Sequence, residues 1–294
     1  MPSPLLNILI FLNLLFLPHY FAQFSSSFRE FLKVYGGNDL EKLLTREDLG
    51  VKGSYGGGNH KAGEKTKRRP VIFVHGMAES AGSTKTFEKF FKDNGYDSAE
   101  TFATTYGDAG KTNLIFVEIE CEFVKMIRHM ILTVSNYTSN KVNIDGFSLG
   151  VVISRKAILG GKCVDTGEDL GPPVTHLVHT FVGVAGPNWG SFLCILPIGA
   201  CNLLNGINCS STFLKDINSK KRYKGSFIFT IFSTGDDIVG YEVCGKVSSS
   251  IEGADDNFEF QNMTHSEVIL NTIKLQYDLI TFQKADDDDL SWVE

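Results

Sequence analysis

Apolar residues in this chain follow two rhythms that alternate along most of its length. Near-continuous runs of β-branched and aromatic residues read as buried strands: "PVIFVHG" at 70–76, "AETFATTYG" at 99–107, "KVNIDGFS" at 141–148, "THLVHTFVGVAG" at 175–186 and "GSFIFTIFSTGDD" at 225–237. "DNFEFQN" at 256–262 reads as a short sixth strand. Between these runs, apolar residues recur at helical spacing. "TKTFEKFFKDNGYD" at 84–97 repeats Phe87, Phe90 and Phe91 and stops at Gly95. "TNLIFVEIECEFVKMIRHMILTVSNY" at 112–137 reads as one long amphipathic helix, and "LGVVISRKAILGG" at 149–161 as a helix ended by Gly160 and Gly161. "SEVILNTIKLQYDLITF" at 266–282 reads as a final helix. Strands alternating with helices predict the α/β class, with a mostly parallel central sheet and helices on both faces.

The segments outside this alternation differ in character. Residues 5–17 are apolar and Leu-rich, too short for a membrane span, and are followed by Pro18 and Ala22. That reads as a secretory signal removed after about residue 22, with a retained anchor or a buried helix as the alternatives, although its first residues carry no Lys or Arg. No later segment is apolar enough to span a bilayer, so no transmembrane segment is expected in the mature chain. "SSSFREFLKVYG" at 25–36 reads as a helix, and "VKGSYGGGNHKAGEKTKRR" at 51–69 as a surface connection with little core. The tail "KADDDDLSWVE" reads as solvated; its aspartates lack the glycine and alternating spacing of a calcium loop.

Composition narrows the partners. The 294 residues carry a net charge of -6, with one short basic cluster at 65–69, so an electrostatic grip on nucleic acid is not expected. The six cysteines (Cys121, Cys163, Cys194, Cys201, Cys209, Cys244) include no C-x-x-C, which disfavours zinc and redox readings. An even count behind a secretory signal implies disulfides, but their pairing stays open. Three N-x-S/T sequons, at Asn136, Asn208 and Asn262, also suit export.

The candidate chemistry centres on "GFSLG" at 146–150. Five residues are a weak match alone, but Ser148 directly follows an expected buried strand and precedes an expected helix, which is the setting of a nucleophile elbow. Glycines relieve crowding in so tight a turn, and the helix N-terminus faces developing negative charge. A serine hydroxyl needs a base. Of the seven histidines, His19 lies in the signal, His60, His75 and His129 precede Ser148, and His176 and His179 enter a strand. His265 remains, after the sixth strand and at the head of the last helix. The acid is expected just past the fifth strand, at Asp236 or Asp237, and residue physics leaves that choice open. Oxyanion donors are expected from the N–H of Leu149 and, in the loop after the first strand, of Met77. His75 is expected to brace that loop.

"RPVIFVHGMAESAGS", "FATTYGDAGKT", "KVNIDGFSLGVVISRKAILGG", "CVDTGEDLGPPVTHLVHTFVGVAGPNWG" and "FSTGDDIVGY" resemble the class 2 lipases of the α/β-hydrolase superfamily, above all its secreted nematode members. The resemblance covers nearly the whole chain beyond the signal. It implies Ser148 as nucleophile, His265 as base, Asp236 rather than Asp237 as acid, Met77 and Leu149 as oxyanion donors, and neither a metal nor an organic cofactor. Two departures stand out. Phe147 replaces the more usual His or Tyr, and the Asn262 sequon lies beside His265, so Asn262 is expected to be unmodified or to point away. The organisation expected is a signal over 1–22, an extension and linker over 23–69, an α/β-hydrolase catalytic domain over 70–284 and an acidic tail over 285–294. The function expected is a secreted serine ester hydrolase cleaving acylglycerols, with a lipid or small ester as substrate. The alternative is a catalytically silent member binding lipid or a protein partner. The apolar stretch 188–206 is expected to line the acyl pocket, to cover it, or to be a disulfide-braced loop with its own small core.

Overall fold

In the computed structural model of the chain, residues 23–113 and 116–286 are described. The signal over 1–22 and residues 287–294 of the acidic tail lie outside the described residues. The chain enters helix α1 (Ser26–Thr45), passes edge strand β1 (Ser54–Tyr55), and then alternates β2 (Val71–Val74), α2 (Lys85–Asp93), β3 (Thr101–Thr104), α3 (Cys121–Thr138), β4 (Val142–Phe147), α4 (Leu149–Leu159) and β5 (Val178–Val184). Helix α5 (Thr212–Ile217), β6 (Phe227–Ser233), the small hairpin β7 (Glu242–Val243) and β8 (Lys246–Val247), β9 (Asp256–Phe260), α6 (His265–Asn271) and α7 (Ile273–Phe282) follow. The main sheet has the order β1-β3-β2-β4-β5-β6-β9. Only β1 pairs antiparallel; every other neighbour pair is parallel. The mostly parallel sheet is the one that the alternation of strands and helices implies.

Both faces of the sheet are covered, which explains why the strands read as unbroken apolar runs. Side chains alternate across each strand. Ile72, Val74 and Ile144 pack with Phe28 and Leu32 of α1, Ile127 and Ile131 of α3, and Val152 of α4. Val71, Phe73 and Phe147 pack the other way, with Phe87 and Phe91 of α2 and Leu275 and Leu279 of α7. Each such side chain contributes about 1.5–3 kcal/mol by leaving water.

Four elements differ from the sequence reading. The expected helix at 112–137 begins only at Cys121. Its start is fixed from a distance: the Cys121 N–H donates to Asp165 Oδ2 at 2.9 Å, and Cys121 is bonded to Cys163. Upstream, Phe116 and Ile119 keep a helical i, i+3 spacing in sequence, but in the structure Ile119 is buried and Phe116 exposed. The final helix is broken at Thr272, because the Gln276 side chain donates to the Ile269 carbonyl and to Thr272 Oγ1. Helix α1 does not stop at Gly36 but turns at Gly37 (φ 84°) and runs on to Thr45. Part of the expected surface connection is core: Tyr55 of β1 is buried, and its hydroxyl lies 2.8 Å from Thr84 Oγ1.

The cysteines pair as Cys121–Cys163, Cys194–Cys201 and Cys209–Cys244. The first ties α3 to the segment after α4. The other two brace the segment between β5 and β9.

Candidate active site

Strand β4 ends at Phe147, and α4 begins at Leu149. Ser148 is the whole turn between them, with φ 50° and ψ −123°. That backbone is costly for a residue with a Cβ, about 1–3 kcal/mol, and persists only where the surroundings hold it. They do so here. The Ser148 N–H donates to the Val184 carbonyl at 2.9 Å, and α4 is driven under the end of β2. Gly150 permits that approach, since a Cβ there would collide with the Val74 and His75 carbonyl oxygens. A Cβ on Gly146 would stand 3.2 Å from Val151 Cα, tighter than ordinary packing.

The loop after β2 comes close to the serine. A Cβ on Gly76 would lie 3.3 Å from Ser148 Cβ, so the glycine sets how near Met77 can be brought. The loop is fixed on two sides. Glu79 Oε2 accepts from the Gly76 N–H at 2.9 Å. His75 stacks on Tyr106 with ring centroids 4.1 Å apart, and the Tyr106 hydroxyl donates to the His75 carbonyl at 2.7 Å. His75 Nδ1 lies 2.8 Å from the Gly76 carbonyl, which can only accept, so that nitrogen carries the proton. Burial pushes the His75 imidazole down to about 4, keeping it neutral. Leu149 is the first residue of α4, and an N–H at that position has no partner within its own helix.

His265 heads α6, capped by a reciprocal pair in which Thr264 and Glu267 each bond the other's backbone. Its Nδ1 lies 2.8 Å from Asp236 Oδ2, and both residues are buried. Asp236 Oδ1 accepts from the Ile238 and Val239 N–H groups at 3.0 and 2.8 Å. Burial alone would raise the Asp236 pKa, but the His265 contact and those two N–H groups together hold it below the ordinary carboxylate value. Asp236 is therefore an anion, and His265 carries its ring proton on Nδ1, leaving Nε2 as acceptor. Asp237 does something different: its Oδ1 accepts from the His265 backbone N–H at 2.9 Å.

Ser148 and His265 line one cavity of about 240 Å³, shared with Gly76, Met77, Phe147 and Ile238. Ser148 Oγ has no hydrogen bond to His265 among the described residues; such contacts commonly tighten when substrate binds. Phe147 is buried against Phe87, ring centroids 4.4 Å apart, and forms part of the cavity wall. Phe87, Ile269 and Leu270 complete the apolar lining. The stretch 188–206 does not line this cavity. Glu79 was not singled out from the sequence; the Gly-x-x-Glu spacing at 76–79 is the signal that could have found it. Asn262 is exposed, in a left-handed backbone conformation (φ 57°).

The Asp236 shift has a measurable consequence. A carboxylate depressed in the folded state contributes stability that is full above its unfolded pKa and is lost as pH falls through the folded value. Acidifying from about pH 5 to about pH 3 should lower the melting temperature of the wild-type chain more than that of Asp236→Asn. Parallel thermal melts of the two proteins check this, and equal acid sensitivity would refute it.

Three comparisons bear on this geometry. The family model described as Lipase (class 2) matches residues 68–278. Curated protein sequences give no match. Among solved structures, Aspergillus fumigatus lipase B is similar at 18% identity and a TM-score of 0.55, over 78% of this chain and 55% of that one. The chain thus spans little more than half the length of that lipase. The mature form of Bacillus licheniformis lipase BlEst2 is similar at 17% identity and a TM-score of 0.53, over 78% of this chain and 98% of that one. The structural likenesses establish the fold, and the family model goes further: it matches well over half of the chain, which belongs to the class 2 lipases.

Proposed function

We propose that this chain is an extracellular acylglycerol lipase in which Ser148, His265 and Asp236 form the catalytic triad. The observation that carries the reading is the pairing of His265 Nδ1 with an ionised Asp236 at 2.8 Å, in the same cavity as a serine held at the tip of a strand–helix turn. Because Nδ1–H donates to Asp236, Nε2 is free to take the Ser148 proton as Oγ attacks the ester carbonyl. The oxyanion is held by the Met77 and Leu149 N–H groups, each worth about 3 kcal/mol. Collapse expels the alcohol, protonated by His265. Water, deprotonated by the same nitrogen, then releases the fatty acid. The apolar walls supplied by Phe87, Phe147, Ile269 and Leu270 suit an acyl chain, and the exposed Ile238 and Leu270 among the lining residues suit contact with a lipid–water interface.

Export is supported by the expected signal and by three disulfides, which persist in oxidising compartments. No helix among the described residues is long and apolar enough to cross a membrane.

A fluorophosphonate probe tests the site directly, since only an activated serine displaces its fluoride to form a Ser148–phosphorus ester. One equivalent should attach at Ser148, and attachment should block release of fatty acid from emulsified acylglycerol. Labelling elsewhere, or none, would overturn the reading.

A further inference from the structure

We propose that the uncharged loop from Ser191 to Leu204 is a docking surface for an electrically neutral lipid surface, seated beside the mouth of the Ser148 cavity. The proposal rests on the reading of that cavity as a lipase site. Leu193, Ile195, Leu196, Ile198, Leu203 and Leu204 all lie exposed, Ile195 at 85% of its full area. A cluster of this kind is unusual on a soluble surface and marks an interaction site.

Three features choose the occupant. First, no Asp, Glu, Lys or Arg occurs between Leu170 and Lys215. The loop offers nothing to anionic headgroups, and the chain's net charge of -6 would oppose an anionic membrane. A protein partner is disfavoured too, because the exposed set lacks the Tyr, Trp and Arg that anchor protein interfaces. Second, the loop satisfies much of its own backbone. The Ile195 N–H donates to the Leu193 carbonyl at 2.9 Å, Ile198 to Leu196 at 2.9 Å, Cys201 to Ile198 at 3.0 Å and Asn202 to Gly199 at 3.0 Å. Entering an apolar phase with these bonds made avoids much of the penalty of unpaired amides. The Cys194–Cys201 bond closes the same turn.

Third, the loop is joined to the cavity rim. Ser191 Oγ donates to the Ile238 carbonyl at 2.8 Å, and the Phe192 N–H to the Val239 carbonyl at 3.0 Å. Ile238 lines the cavity and is itself exposed, as is Leu270 on another part of the rim. A lipid surface touching the loop would therefore lie next to the opening through which an ester reaches Ser148.

The test uses the full chain carrying Ser148→Ala, so that no lipid is consumed, with and without Leu193→Ser, Ile195→Ser and Leu196→Ser together. Binding to phosphatidylcholine vesicles is read by co-sedimentation, and repeated with phosphatidylserine added and in high salt. The single variant should bind neutral vesicles, gain nothing from phosphatidylserine and be insensitive to salt; the triple serine change should weaken binding at least a hundredfold. Binding equal in both proteins, or dependent on anionic lipid or low salt, overturns the proposal. So does light scattering that shows a dimer which the serine changes dissolve, since that assigns the loop to a second copy. In the Ser148 background, the serine changes should leave cleavage of a water-soluble short ester within about twofold while depressing cleavage of an emulsion. Soluble-ester cleavage reads the cavity alone. Its absence in the unmodified chain, with vesicle binding intact, would overturn the lipase reading while the binding data still support docking.

Discussion

Ser148→Ala is expected to lower kcat/KM on p-nitrophenyl esters on the order of 10⁴-fold or more, leaving only what the oxyanion donors and binding supply. The same position predicts a separation of stability from activity. Alanine keeps the Cβ that makes φ 50° and ψ −123° costly, whereas glycine removes it. Ser148→Gly should be as inactive as Ser148→Ala yet more stable, by about 1 kcal/mol once the greater freedom of unfolded glycine is subtracted. Denaturant titration of the two variants measures the difference. Equal stabilities would mean that the turn stores no strain, and residual activity near wild type in either would remove Ser148 from the chemistry.

Asp236→Asn should cost about 10⁴-fold in kcat/KM, and the reason lies in the backbone around it. Asp236 Oδ1 is fixed by two donors, the Ile238 and Val239 N–H groups. An asparagine must put its carbonyl oxygen there, which turns its NH₂ toward His265 Nδ1. Two donors cannot face each other, so neutral His265 would carry its proton on Nε2 and could not accept one from Ser148. Asp237→Asn is expected to lose less than tenfold, because Asp237 only receives the His265 backbone N–H and an amide oxygen can do the same. Initial rates for the two variants, with thermal melts to establish folding, check the contrast. Similar losses in both would overturn the assignment.

The sheet was legible in the sequence because both its faces are covered. Two-sided burial writes itself as unbroken runs such as "VIFV" at 71–74. The candidate site residues were nameable because they follow strand ends, where chain order constrains which side chains can meet. Long-range contacts were not legible. The start of α3 depends on Asp165 and Cys163, more than 40 residues downstream. The break at Thr272 depends on one amide side chain competing for a helical carbonyl. Tyr55 is core because β3 lends it a partner, although its neighbours are glycines and lysines. Asp236 and Asp237 look alike in sequence, and only the direction of each carboxylate separates them: one to the imidazole, the other to a backbone N–H.

Loop exchange between relatives is a common route to new substrate ranges, and it assumes that a loop is a replaceable part. Here the apolar loop shares hydrogen bonds with the peptide groups of Ile238 and Val239, whose own N–H groups hold the Asp236 carboxylate. The segment that follows the loop is bonded through Cys209 to Cys244, eight residues past Asp236. A graft of residues 191–204 alone would leave the carboxylate's scaffold fitted to a neighbour no longer there. A graft that keeps these bonds together has to carry residues 190–244 as one piece, Asp236 included.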